Sequence, residues 1–233
     1  RHRDWLTLRP DGYTYAPKKF DHFFRTMCYN TGYHDHVLAM IREMLAYDVA
    51  GIFCDCMGYR PCVGVECVRE MKARGMDWRD PEQQLEFARL STLRMAGDIR
   101  DTVLGTKPDM LLYFNGIDFQ NQNLLATYFE CEFLPPAWGY EGFPMFARHL
   151  RKYGKHLINM TGRFHKCWGD FGGIRSFASL EYDCLNGLSN GLRPSVGDHC
   201  HPRGDLQQPV FDLIGGVYDK IRPYDPWYQD AVP

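Results

Sequence analysis

Short apolar runs alternate with longer amphipathic stretches along the 233-residue chain. The runs are Val49 to Cys54, Met110 to Phe114, Ala126 to Phe133, His156 to Met160 and the weaker Arg193 to Val196, each of a length suited to a buried strand. Between them, apolar positions recur at helical spacing over Tyr33 to Tyr47, Pro81 to Leu104, Phe143 to Tyr153, Phe177 to Asn190 and Pro209 to Ile221. Alternation of the two patterns predicts β/α units and a parallel sheet. Two of the helices carry end signals. Pro81 opens one at the position where its missing N–H costs nothing, behind Asp80 as N-cap, and Gly154 follows another as a C-cap glycine would. His22 to Cys28 reads as one more extended piece.

The carboxyl ends of the runs carry polar chemistry. The first delivers Asp55, the second Asn115, the third Glu130 and Glu132, the fourth Thr161 through His165, and the fifth Asp198, His199 and then His201. Consecutive strands that each end in ionisable or hydrogen-bonding side chains are the layout of a (β/α)8 TIM-barrel active face. A Rossmann-type sheet is the rival, but no G-x-G-x-x-G follows an early strand. Eight strands close a barrel and need about 250 residues. The chain supplies five or six, so residues 1–233 are expected to be the later part of a barrel catalytic domain, with opening strands before Arg1 and further domains after Pro233.

Composition narrows the function classes. With 45% hydrophobic and 24% charged residues and a net charge of -2, the chain has material for a sizeable core. A nucleic-acid surface would show a basic stripe, so no nucleic-acid partner is expected. No apolar run approaches the roughly 20 residues that cross a bilayer, so no membrane span is expected. Arg1-His2-Arg3-Asp4 has no apolar h-region, so the native start is expected upstream and the compartment stays open. Nine cysteines are an odd count, so some are free, buried or metal-bound.

Candidate chemistry concentrates at the strand ends. Asp55 closes an apolar strand, where a rigid scaffold suits a nucleophile; the bland alternative is a helix cap or a loop ion pair. In Thr127 to Phe133 a period of two puts Glu130 and Glu132 on one face and Phe129, Cys131 and Phe133 on the other. One of two acids crowded among apolar neighbours is a natural general acid with a raised pKa; alternatively one of them pairs with Arg163. Asp55 with either acid meets the two-carboxylate demand of glycoside hydrolysis. Thr161 to Gly173 packs Arg163, His165, Trp168 and Asp170 with glycines into one loop, and Trp138 with Tyr140 forms a second aromatic loop. Aromatic faces stack on sugar rings while such polar groups hold hydroxyls. Asn30 sits where an earlier strand turns into a helix and either lines the same mouth or caps the helix. Cys54-x-Cys56-x5-Cys62-x4-Cys67 raises a structural zinc site using Cys56, Cys62, Cys67 and one other ligand; a local disulfide or plain buried thiols are the competing readings. His199 and His201 are either metal ligands or substrate contacts.

The stretches around Cys28 to Tyr33, Asp48 to Asp55, Glu130 to Tyr140, Thr161 to Gly173 and Ser195 to Gly204 resemble the hypothetical glycoside-hydrolase barrel domain found beside β-galactosidase-type trimerisation domains. That group is similar to the α-L-fucosidases of glycoside hydrolase families 29 and 151. The likeness spans about residue 20 to 227, and Trp168-Gly169-Asp170-Phe171-Gly172-Gly173 is its most specific part. The resemblance implies a retaining exo-glycosidase acting on a terminal α-L-fucoside, a homo-oligomer, here a trimer, and no cofactor for catalysis. It places Asp55 as nucleophile, and Glu130 or Glu132 as acid/base. Arg163, His165, Trp168, Asp170, Asp198 and His199 would recognise the sugar. Relatives of this type read Asp-Gly where this chain has Ala50-Gly51, which removes a supporting carboxylate. β-Galactosidase barrels end their fourth strand in Asn-Glu, whereas this chain has Cys54-Asp55. A β-galactosidase-like enzyme, a carbohydrate-binding barrel without catalysis and a metal-dependent hydrolase are the alternatives.

Overall fold

The structure, a computed structural model, describes residues 2–14 and 25–228. Five strands and the helices between them alternate in the expected order. They are α1 (Tyr33–Met44), β1 (Gly51–Cys54), α2 (Val65–Ala73), α3 (Pro81–Thr106), β2 (Leu111–Phe114), α4 (Phe119–Leu125), β3 (Tyr128–Glu132), α5 (Pro135–Trp138), α6 (Gly142–Arg151), β4 (His156–Gly162), α7 (Phe177–Ser189), β5 (Arg193–Gly197), α8 (Gln208–Ile221) and α9 (Asp225–Tyr228). Among the described residues these strands pair in parallel: β1 with β2 in one sheet, and β3, β4 and β5 in that order in another. The chain divides into two compact units, residues 1–127 and 128–233. The expected extended piece His22 to Cys28 falls partly outside the described residues; within them Met27 forms an isolated antiparallel bridge with Leu6.

In the first unit, Gly51 and Phe53 of β1 are exposed on either side of buried Ile52. In β2 only Leu111 is exposed, and Leu112, Tyr113 and Phe114 are all buried, as in a strand covered on both faces. Helix α3 begins as its sequence predicts: Pro81 occupies the first turn and the Asp80 carboxylate accepts from the Glu82 N–H at 2.9 Å. Helices α2 and α4 add to the pattern expected from periodicity. Asp118 caps α4 by accepting from the Asn121 N–H at 3.0 Å. Cys28, Cys62, Cys67, Met71 and Phe87 form a buried cluster, with Leu8, Met76 and Trp78 packed against it.

In the second unit, helices α6 and α7 cover one face of the sheet. Phe133 meets Phe143 of α6 edge-on with centroids 5.8 Å apart, and Phe129 meets Tyr153 at 5.1 Å. Asn159 donates to the Asp183 carbonyl at 2.9 Å and Thr161 to the Asp183 carboxylate at 2.8 Å, which bolts β4 to α7. Arg175, 4% exposed, joins the same knot at 2.6 Å from Asp183 and 2.8 Å from Thr161. Parallel register sets Glu130 opposite Ile158 and Glu132 opposite Met160, so both acids lie on the sheet face turned away from those helices. Gly154, at a φ of 67°, turns the chain between α6 and β4. None of the described helices is long and apolar enough to cross a membrane.

Two helical glycines separate close packing from helix propensity. A Cβ at Gly187 in α7 would lie 2.5 Å from Asn159 Nδ2 and 2.9 Å from Asn159 Cβ, whereas one at Gly97 in α3 would meet nothing within 4 Å. Gly97→Ala should raise stability by about 1 kcal/mol through the helix-propensity gain. Gly187→Ala should lower it by about 1–3 kcal/mol through overpacking. Urea unfolding of the two variants checks the opposite signs.

Candidate active site

The carboxyl ends of the parallel strands carry the titratable side chains in both units. In the first, Asp55 follows β1 directly and is exposed. Its neighbour Cys56 takes a left-handed turn at φ 55°, and the Arg60 guanidinium donates to the Cys56 carbonyl at 3.1 Å. Asn115 stands at the end of β2, where its carbonyl accepts from the Met57 N–H at 2.7 Å and its N–H donates to the Cys54 carbonyl at 2.9 Å. Burial pushes the Cys54 thiol up to about 12. Tyr29 also rises to about 12, through burial and then the neighbouring Tyr33. Both groups are therefore neutral at ordinary pH. Asn30 is engaged elsewhere in this unit: its amide donates to Ser91 Oγ at 2.9 Å and accepts from Arg94 at 2.6 Å.

In the second unit the strand ends converge on Arg163. This guanidinium, only 2% exposed, follows β4 and lies 2.7 Å from the Asp198 carboxylate just past β5. It also donates to the Phe171 and Gly173 carbonyls at 3.1 and 2.7 Å. A buried cation needs such neutralisation, and a guanidinium cannot lose its proton to escape. The pairing with an acid of β3 weighed from the sequence is not the arrangement found, because Arg163 turns toward β5. Glu132 instead accepts from the Trp168 indole N–H at 2.5 Å. The Trp168 ring can lie there because Gly197 has no side chain; a Cβ at that position would collide with the indole.

His199 sits in an aromatic box. Its ring centroid is 4.5 Å from Phe164, 4.7 Å from Phe171 and 6.0 Å from Trp168. Its backbone N–H donates to Asp198 at 2.7 Å, while its Nδ1 is buried without a hydrogen-bond partner among the described residues. Glu130 lies deeper on β3 at 3% exposure; burial first, and then the charge of Glu130, push the adjacent Cys131 thiol up to about 12.

The remaining expected residues are more dispersed. Asp170 holds the loop after β4 by accepting from the Lys166 N–H at 3.1 Å, and His165 is exposed on that loop. His201 pairs with Asp205 at 3.2 Å. Trp138 packs edge-on against Phe133 at 6.1 Å and Tyr140 against Tyr182 of α7 at 5.3 Å, so both rings join the helix layer. Cys62 and Cys67 are buried together with Cys28, whereas Cys56 is exposed. Buried Phe164 and exposed Phe171, two walls of the box, escaped the sequence reading because nothing in local spacing marks which aromatics of a loop close on a histidine.

No family model and no curated protein matches the chain. Among solved structures, the chain is similar to alpha-L-fucosidase isoenzyme 2 from Paenibacillus thiaminolyticus, with a TM-score of 0.90 and 32% identity over 99% of this chain. The match spans 36% of that protein, so this chain corresponds to about a third of its length. The α/β fold of parallel strands and covering helices is thus shared with part of a fucosidase.

Arg163→Leu should leave the Asp198 carboxylate half-buried and unpaired, at a cost of about 3 kcal/mol. The conservative Asp170→Asn, which keeps an oxygen to accept from the Lys166 N–H on the exposed loop, should stay within about 0.5 kcal/mol of the parent. Chemical denaturation of both variants measures the contrast.

Proposed function

We propose that this chain is part of the catalytic domain of a retaining glycoside hydrolase acting on a terminal α-L-fucoside. Its β/α repeats would form the later part of a (β/α)8 barrel. The observation that carries the reading is the likeness to a fucosidase over 99% of the chain at 32% identity. The chemistry of the strand ends agrees with it. Asp55, exposed at the tip of β1, is the nucleophile that attacks the anomeric carbon. Glu132 is the acid/base: it protonates the leaving oxygen and then takes a proton from water. Glu132 is preferred over Glu130 because it ends its strand half-exposed, whereas Glu130 is buried beneath it. The Trp168 indole N–H donates to Oε1 of Glu132 and orients the carboxyl group at the strand end.

Sugar recognition falls to the aromatic box and its charged floor. Phe164, Trp168 and Phe171 offer apolar faces, and the buried Nδ1 of His199 lacks a partner that a hydroxyl or water would supply. Arg163 and Asp198 are fixed by each other, so they present a preorganised dipole at no reorganisation cost.

In the full-length protein, Asp55→Ala should abolish hydrolysis of 4-nitrophenyl α-L-fucoside while leaving the melting temperature unchanged, since the side chain is exposed. Glu132→Gln should lose about 10²- to 10⁴-fold in kcat on fucosides with poor leaving groups and much less on the nitrophenyl substrate. Steady-state kinetics of both variants decide it. Near wild-type kcat in Asp55→Ala overturns the assignment.

A further inference from the structure

Three thiols meet in the first unit, none of them given a catalytic role. The sulfur atoms of Cys28, Cys62 and Cys67 all lie within 4.8 Å of one another, and those of Cys28 and Cys67 are 3.3 Å apart. The three residues are 5%, 7% and 1% exposed. Thiolates at the corners of a zinc tetrahedron with bonds of about 2.3 Å stand about 3.8 Å apart. The observed triangle therefore needs adjustment of no more than about 1 Å along any edge to hold such an ion.

The surroundings are those of a charged sulfur rather than of an apolar filler. Cys62 Sγ accepts from the backbone N–H groups of Leu8 and Gly64, each at 3.4 Å. Cys67 lies in the first turn of α2, where the helix end favours negative charge. Its sulfur also accepts from the Asn30 amide at 3.3 Å. Arg94, 2.6 Å from Asn30 Oδ1, fixes which way that amide points, so Asn30 acts as a donor to sulfur and not as a ligand. Beside the thiols lies a cavity of about 20 Å³, bordered also by Ser91 and Thr92. That is room for one water.

We infer that Cys28, Cys62 and Cys67 form a zinc site, with a water from the adjoining cavity in the fourth position. The ion would tie together the segment before α1, the loop after β1 and the start of α2, three pieces otherwise joined by a small apolar cluster. The ligand set differs from the one expected from spacing: Cys28, far away in sequence, enters, and Cys56 does not. Metal binding by thiolates releases their protons and stabilises the fold that gathers them. The inference is independent of the glycosidase reading, since none of its groups is assigned to substrate.

The test is metal analysis of the full-length protein purified under reducing conditions without chelator, by inductively coupled plasma mass spectrometry. One zinc per chain is expected, and cobalt replacing it should give a thiolate-to-metal charge-transfer band. Cys62→Ser should abolish both signals, whereas Cys56→Ser should keep them. Should Cys62→Ser fail to fold, the wild-type metal content and a fall in its melting temperature on chelation still decide. Metal-free protein with three reduced thiols, a Cys28–Cys67 disulfide in the non-reduced peptide map, or full zinc content in Cys62→Ser would overturn the site.

Discussion

A guanidinium buried to 2% exposure at the end of β4 organises the strand-end surface of the second unit. The chain around a buried cation has to supply a counter-charge and acceptors. Asp198 supplies the first from the end of β5, and the carbonyls of Phe171 and Gly173 supply the others from the loop after β4. Satisfying one cation thereby fixes two loops. The fixed loop sets Trp168 over Gly197, and Trp168 in turn holds Glu132. The position of an acid on one strand thus depends on a charge at the end of the next.

A second buried pair does different work. Arg175 and Asp183, both nearly inaccessible, sit on the helix side of β4 and lock α7 to it through Thr161. Polar groups on that face are consumed internally: every donor is matched within the knot, as a buried ionic cluster requires. Glu132 at the end of β3 and the imidazole of His199 are half-exposed, and among the described residues Nδ1 of His199 is left unsatisfied. An unmatched buried atom costs stability of about 1–3 kcal/mol, and such sites concentrate where ligands bind. The difference between the two sets of groups separates architecture from chemistry in this unit.

Much of this was legible in the chain itself. The five apolar runs and the five long periodic stretches are the observed strands and the longer helices, because length and period distinguish the two when both are regular. The helices α2 and α4 were missed for the converse reason: they are short, and the cysteines of α2 invite a reading by ligand spacing. The acids of β3 fall on one face by parity alone. What parity cannot give is the partner. Nothing near Arg163 in sequence selects Asp198 over an acid of β3, nothing marks Trp138 and Tyr140 for the helix layer, and Cys28 reaches Cys67 across 39 residues. Such contacts are set by how the loops close, which composition and spacing do not encode.

The reading as a retaining glycosidase requires a covalent intermediate on a carboxylate, since a retaining enzyme replaces one glycosidic bond by an ester before water enters. The most direct measurement is therefore to treat the full-length protein with a 2-fluoro-fucosyl fluoride, digest it and map the label by mass spectrometry. The account predicts one fluorofucosyl group on the peptide that contains Asp55, at its carboxylate. A label on another carboxylate, or steady turnover of fucosides with no label at any residue, would contradict it.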